Sequence, residues 1–310
     1  MQQKEIGLIL MQKLEVEKKS IAGPVEEEAC QLVESFALVK GRPLDPLSLI
    51  TKSVCNVVCA VAFGHRFSTE DKSFQLLTEA IDIALKHGGS FVYTLLRKFP
   101  WVMRRLPGPH KKALSSRELV LSFVKREIKK HKENRAGCLP QDFTDFYLLQ
   151  MEKSKGDCKS TYSEEKLAEC LLDLLVAGTE TTATTLQWAL LLMATHQDIQ
   201  DKVHKELKDA LGSTPFVCYQ DWKKLSYTNA VIHEIQRAKY AILFRVFRKF
   251  TKDVNIFGFL IPKGTSINPG LNSVLLDPKL WETPEKFNPN HFLDKAGKFV
   301  AREEFLLFGT

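Results

Sequence analysis

Along most of the chain up to residue 240, apolar positions recur every three or four residues, the period of an amphipathic helix. From Pro24 to Phe36, PVEEEACQLVESF opens on proline, carries acids in its first turn and predicts a helix. In LDPLSLITKSVCNVVCAVAFGHRF, Pro46 starts a nearly all-apolar helix and Gly64 ends it, so that helix must be buried. Phe74–Lys86 is amphipathic again and stops at His87-Gly88-Gly89. Pro109–Asn134 predicts a strongly basic helix with a solvated face. Residues 135–161 read as a linker around one short helix, DFTDFYLLQMEK. After a long apolar stretch, HQDIQDKVHKELKDAL continues as a polar helix to Gly212, and Tyr227–Ala238 predicts another. Between Arg245 and Asn268 the period falls to two. Gly258 and Pro262-Lys263-Gly264 supply turns there, which predicts short antiparallel strands.

The long apolar stretch is Leu171–Met193, LLDLLVAGTETTATTLQWALLLM. Ser163 as cap, with Glu164 and Glu165 in the first turn, predicts one buried helix from Ser163 to Thr195. Its middle works against helix stability. Gly178 costs about 1 kcal/mol against Ala, and Thr179, Thr181 and Thr182 are β-branched. Glu180 is unfavourable in a core unless paired. One reading is a polar stripe meeting solvent or another polar segment. The other is a site, in which Ala177 and Gly178 clear space for a flat ligand and Thr181 and Glu180 set a hydroxyl and a carboxylate beside it. Thr hydroxyls also bond the carbonyl one turn back, and loosened carbonyls hold the waters that a proton relay needs.

Composition narrows the classes. With 310 residues, 44% apolar, the chain can bury a large core as one domain or two. Its net charge of +7 comes without a single-sign tail or a basic stripe interleaved with aromatics, so it does not argue for nucleic acid. An acidic protein partner or a membrane surface fits as well. Seven cysteines at irregular spacing fit a reducing compartment. Cys55 and Cys59 lie four apart with no second ligand pair nearby, so they read as core thiols rather than zinc ligands. No apolar run reaches the roughly 18 residues of a membrane span. Met1-Gln2-Gln3-Lys4 does not open a signal peptide. Phe91–Gly108 mixes aromatics with Arg97, Lys98, Arg104 and Arg105. That mixture suits a membrane interface or a loop with buried aromatics.

Glu234 and Arg237 stand three apart and share a helix face. Alone, such a pair is usually a surface contact worth less than about 1 kcal/mol. Here it follows A-G-T-E-T-T by about fifty residues. Strand-like sequence comes next, then IPKGT, and then Pro284, Phe287, Pro289 and Phe292. This ordered series resembles the cytochrome P-450 haem-thiolate monooxygenases. AGTETT with TLQWALLLM is similar to their vertebrate microsomal family 2 in particular.

The resemblance implies a mainly α fold with a small β region, as one partial domain over residues 1–310. Residues 24–240 would be mainly helical, and 241–310 β-rich with the meander. It implies haem (iron protoporphyrin IX) as cofactor, with Ala177 and Gly178 beside it and Arg248 on a propionate. Glu180 and Thr181 would deliver protons as the catalytic pair. Glu234, Arg237 and His291 would form the structural triad beneath the haem. Electrons would come from NADPH through the flavin-containing NADPH–cytochrome P-450 reductase, with cytochrome b5 as a second donor. Substrates would be small apolar molecules (xenobiotics, fatty acids or steroids), hydroxylated or epoxidised at the cytoplasmic face of the endoplasmic reticulum membrane. Phe91–Gly108 would roof the substrate cavity and dip into the bilayer.

The sequence departs from the family at Leu243 and Phe247, where prolines are usual, at Arg245 in place of a small residue, and at Asn290 in place of an acid. It is further expected to be truncated at both ends. The membrane anchor and early helices would be missing, and the ligand cysteine would lie beyond Thr310, which would leave the chain inactive as given. The alternative to an enzyme is a non-catalytic remnant without haem, acting through protein contacts.

Overall fold

A computed structural model of the chain describes residues 22–88, 91–103, 105–134, 140–155, 162–212, 217–239, 248–268 and 270–307. Leu243, Arg245, Phe247, the first 21 residues and the last three lie outside the described residues. The described helices begin with α1 (Ala22–Ala37), α2 (Leu47–Phe63), α3 (Lys72–Gly88), α4 (Phe91–Lys98), α5 (Pro100–Met103) and α6 (His110–Asn134). They continue with α7 (Phe143–Lys153), α8 (Glu164–Thr195), α9 (Gln197–Leu211), α10 (Ser226–Ala238) and α11 (Leu271–Leu275). Four short strands follow α10: β1 (Arg248–Lys249), β2 (Val254–Ile256), β3 (Phe259–Ile261) and β4 (Ser266–Ile267). The fold is thus mainly helical with small antiparallel sheets, as the periodicity predicts. The chain divides into two compact units, Met1–Ala183 and Thr184–Thr310, with the boundary inside α8.

In the first unit, α2 is the buried helix its composition predicts. Ile50, Cys55, Cys59 and Ala62 are fully inaccessible. Around it pack Phe74, Leu77 and Ile81 of α3, Val120, Phe123 and Val124 of α6, Tyr147 of α7, and Leu167, Leu171 and Leu175 of α8. The basic helix α6 therefore has an apolar stripe inward and most of its lysines outward. Cys55 and Cys59 are core thiols. Burial first, and the neighbouring Cys55 second, push Cys59 well above the ordinary thiol range.

The FGHRF segment after α2 has a role for each of several residues. Gly64 adopts φ +72° and returns its N–H to Ala60 O, closing the helix in the left-handed conformation that glycine tolerates. Arg66 reaches back to Glu27, Glu28 and Gln31 of α1. The Asn56 side chain bonds both the carbonyl and the N–H of Phe67, at 2.9 and 3.0 Å. Asp142 caps α7 by accepting the Asp145 N–H at 2.9 Å. It also faces His131 of α6 at 2.9 Å. Burial opposes a charge on His131, but the Asp142 hydrogen bond and charge, aided by the Glu127 carbonyl and Asp145, raise it to about 9.

The aromatic and basic segment before α6 has two sides. Leu96 and Met103 are buried, while Phe99, Trp101, Val102 and Leu106 are exposed. Arg105 lies over the Trp101 ring at 4.2 Å. No helix among the described residues is long and apolar enough to cross a membrane.

In the second unit, Leu192 of α8, Ile199 of α9, and Val231 and Ile235 of α10 form one cluster. Glu206 of α9 accepts the N–H groups of Tyr227 and Thr228 at 2.8 and 2.7 Å, capping the first turn of α10 from a neighbouring helix. β1 pairs antiparallel with β4, and β2 with β3. The strand character expected over 241–310 is concentrated between Arg248 and Ile267 among the described residues. The physical reason lies in the sequence beyond. Pro278, Pro284 and Pro289 break alternation and remove ladder donors, so that stretch runs as turns, α11 and a 3-10 turn at Pro289–Phe292.

Gly64 and Gly41 separate two costs of a side chain. Gly41 has φ +76° with nothing within 4 Å of a built Cβ, whereas a Cβ on Gly64 would stand 2.7 Å from Asp142 Oδ2. Gly41→Ala should cost about 1–2 kcal/mol, the left-handed penalty alone. Gly64→Ala should cost clearly more in the same urea unfolding series. Equal losses would mean that the Asp142 contact relaxes freely.

Candidate functional site

α8 runs unbroken through its unfavourable middle. Leu175, Thr179 and Ala183, spaced by four, are fully buried and form its inner edge. Ala183 packs with Ile50 and Val54 of α2. Gly178 serves the same packing, because a Cβ there would come within 3.0 Å of Val58 Cγ2. Thr179 Oγ1 is buried without a hydrogen-bond partner among the described residues. A different line of positions, Asp173, Ala177 and Thr181, is exposed. On it, Thr181 Oγ1 donates to Ala177 O at 2.7 Å, the bond to the preceding turn that β-hydroxyl residues make in helices. Glu180 is half-buried, and its charge is felt at Lys86 of α3, which is held above the ordinary lysine range by Asp82 first.

Sequence reasoning did not single out Asp173. Although its side chain reaches solvent, partial desolvation, and then the charge of Glu169, hold its carboxyl above the usual range against Arg117. Its signal was there to find: it is the one charge inside LLDLLV.

In the second unit the structure brings Glu234, Arg237 and His291 together, each buried. Arg237 forks onto the carboxylate, Nε to Oε2 and Nη2 to Oε1, both at 2.8 Å. Its remaining N–H groups reach Leu275 O at 2.7 Å and Lys286 O at 3.1 Å. The Asn288 N–H donates to Glu234 Oε1 at 2.9 Å. His291 Nδ1 donates to Oε2 at 3.1 Å, while its Nε2 accepts from the Thr283 backbone N–H at 3.3 Å. The three residues thus clamp α10 to the segments around 275 and 283–291. Burial is the largest single influence on Glu234 and pushes it up. Arg237, His291 and Asn288 together reverse that and hold the carboxyl below the ordinary glutamate range.

Two members of this clamp were not anticipated. Trp281, almost fully buried, lies between Arg237 at 5.2 Å and Arg302 at 5.0 Å. Arg302 donates to Leu280 O at 2.8 Å and to His291 O at 3.3 Å. Neither had a motif to announce it, since they meet only after the chain folds back. Arg248 is exposed on β1, opposite Ile267 of β4.

The Cytochrome P450 family model matches residues 2–310. The chain belongs to the cytochrome P450 family. It is 39% identical over 307 residues to cytochrome P450 2J2 of Homo sapiens, covering 99% of this chain and 61% of that protein. To cytochrome P450 2J5 of Mus musculus it is 38% identical, again over 99% of the chain and 61% of the relative. Cytochrome P450 2D20 of Mesocricetus auratus is 38% identical over 310 residues, all of this chain and 62% of that one. This cytochrome P450 chain therefore spans about three-fifths of the length of the curated relatives it matches.

The buried fork makes two measurements decisive. Glu234→Ala and Arg237→Ala should each cost about 3–5 kcal/mol, because each strands a buried charge. The double variant should be no worse than either single one; small additive losses would contradict a shared buried unit. A depressed folded-state pKa means stability that is present above the unfolded value of about 4.5 and lost as pH falls through the lower folded value. Unfolding midpoints should therefore drop below pH 4.5, and Glu234→Gln should flatten that part of the profile.

Proposed function

We propose that this chain forms part of a haem monooxygenase that uses NADPH-derived electrons to insert one oxygen atom into small apolar substrates. The observation that carries the reading is the Thr181–Ala177 hydrogen bond within A-G-T-E-T-T, in a chain that the family model matches from residue 2 to 310. The residues suit a flat, largely apolar group. Ala177 and Thr181 offer small, exposed side chains one turn apart on α8, and a larger residue at either position would fill that strip. Arg248 offers the cation that a propionate needs. When bound, haem supplies the redox iron that activates dioxygen.

The rest is the work of the protein's own side chains. The Thr181 hydroxyl can take a hydrogen bond from water and pass a proton onward. The Glu180 carboxylate, beside it in sequence, reloads that water. Glu234, Arg237 and His291 keep the 275–291 segment rigid, so whatever rests on it is held in one geometry. Electrons arrive from a flavin reductase, with cytochrome b5 as a second donor, at a positively charged face. The exposed Phe99, Trp101 and Leu106 rest on the cytoplasmic face of the endoplasmic reticulum membrane.

In haem-loaded protein, Thr181→Ala should leave haem content unchanged. Product per NADPH should fall at least about 10-fold, and hydrogen peroxide should rise in step. Thr181→Ser, which keeps the hydroxyl, should retain most of the coupling. Equal product and peroxide yields in Thr181→Ala and the parent would make Thr181 a packing residue.

A further inference from the structure

Away from these sites, three side chains converge where α6 ends and α7 begins. One ligand atom each from His131, Asp142 and Asp145 lies within 4.8 Å of the other two. With Glu127, His65 and Gly64 they line a pocket of about 360 Å³.

One observation points to a cation there, and His131 is compatible with it. His131 Nδ1 meets the Glu127 carbonyl at 2.9 Å, and a carbonyl only accepts, so Nδ1 carries a hydrogen. Nε2 meets the Asp142 carboxylate at 2.9 Å, so in this structure it too carries a hydrogen, one that a metal ion would displace. The observation is Glu127, which is fully buried in the pocket wall. Its Oε1 takes Lys130 Nζ at 2.9 Å, but its Oε2 has no hydrogen-bond partner among the described residues, and His65 Nε2 stands off at 3.6 Å. A buried carboxylate oxygen rarely lacks a donor.

The surroundings hold the Asp142 carboxylate in place and give Asp145 a backbone partner. Asp142 Oδ1 accepts the Asp145 N–H, and Asp145 Oδ2 accepts the Gln141 N–H at 3.0 Å. A Cβ on Gly64 would block Asp142 Oδ2.

We propose that His131, Asp142 and Asp145 bind one zinc ion. An imidazole with two carboxylates is a zinc donor set, and three protein ligands leave a fourth position for water. Glu127 Oε2 is the acceptor for that water's hydrogen. Donor atoms around tetrahedral zinc stand about 3.3 Å apart, so Asp145 exchanges its Gln141 N–H partner for the ion and closes the remaining distance. The ion ties the last turn of α6 to the first turn of α7, the two helices that flank residues 135–139.

The test is calorimetric titration of the metal-stripped full chain with zinc chloride alone, followed by cobalt(II) as a spectroscopic stand-in. One zinc per chain should bind saturably. His131→Ala and Asp142→Asn should abolish it; the latter keeps the α7 cap. Asp145→Asn, at the rim, should fold as the parent does and bind zinc more weakly. Cobalt should give visible d–d bands without a thiolate charge-transfer band. The proposal is overturned if uptake is not saturable, which would leave a His131–Asp142 ion pair only. It is equally overturned if the three variants bind as the parent does, or if cobalt reports thiolate ligands.

Discussion

A carboxylate and a guanidinium with almost no access to water set the terms for the second unit. Glu234 cannot be left unsatisfied, so every hydrogen bond it accepts fixes another piece of chain. Arg237 brings the carbonyls of Leu275 and Lys286, Asn288 brings its own N–H, and His291 brings Thr283. A segment with little regular secondary structure thereby gains one conformation. Desolvation makes the pair unfavourable to form and more unfavourable to break, which suits rigidity more than raw stability.

α8 illustrates the opposite case. Its glycine serves a close approach to Val58 of α2, while its exposed line carries Ala177 and Thr181. Packing on one edge thus leaves small and hydroxylic groups exposed on another. A helix of Leu and Ala alone would be more stable and chemically silent. The proposed function fits that arrangement, because a chemistry that needs a flat group and a proton path would need small and hydroxyl side chains at helical spacing.

The first unit uses polar groups as fasteners at helix ends. Arg66 to the acids of α1, Asn56 around Phe67, and Asp142 at the start of α7 all satisfy backbone or charge that burial would otherwise leave stranded. The His131–Asp142 contact belongs to this group and stands out because Glu127, whose Oε2 has no hydrogen-bond partner among the described residues, lines the same pocket.

By itself the sequence determined the longer helices (but not the short helices α4, α5 and α11), the burial of α2, the turn at Gly64, and the shared helix face of Glu234 and Arg237. These depend on residues close along the chain, and helical periodicity and i,i+3 spacing report them directly. The strand region between Arg245 and Asn268 was legible from its alternation and from the turns at Gly258 and Pro262-Lys263-Gly264, and the four described strands fall within it. His291 came within reach only through its place in an ordered family pattern. Trp281 and Arg302, the packing role of Gly178, and the meeting of His65, Glu127, His131 and Asp142 were decided by tertiary structure. Each rests on side chains far apart in sequence, whose partners exist only once α2, α6 and α7, or α10 and the 275–302 segment, are packed together.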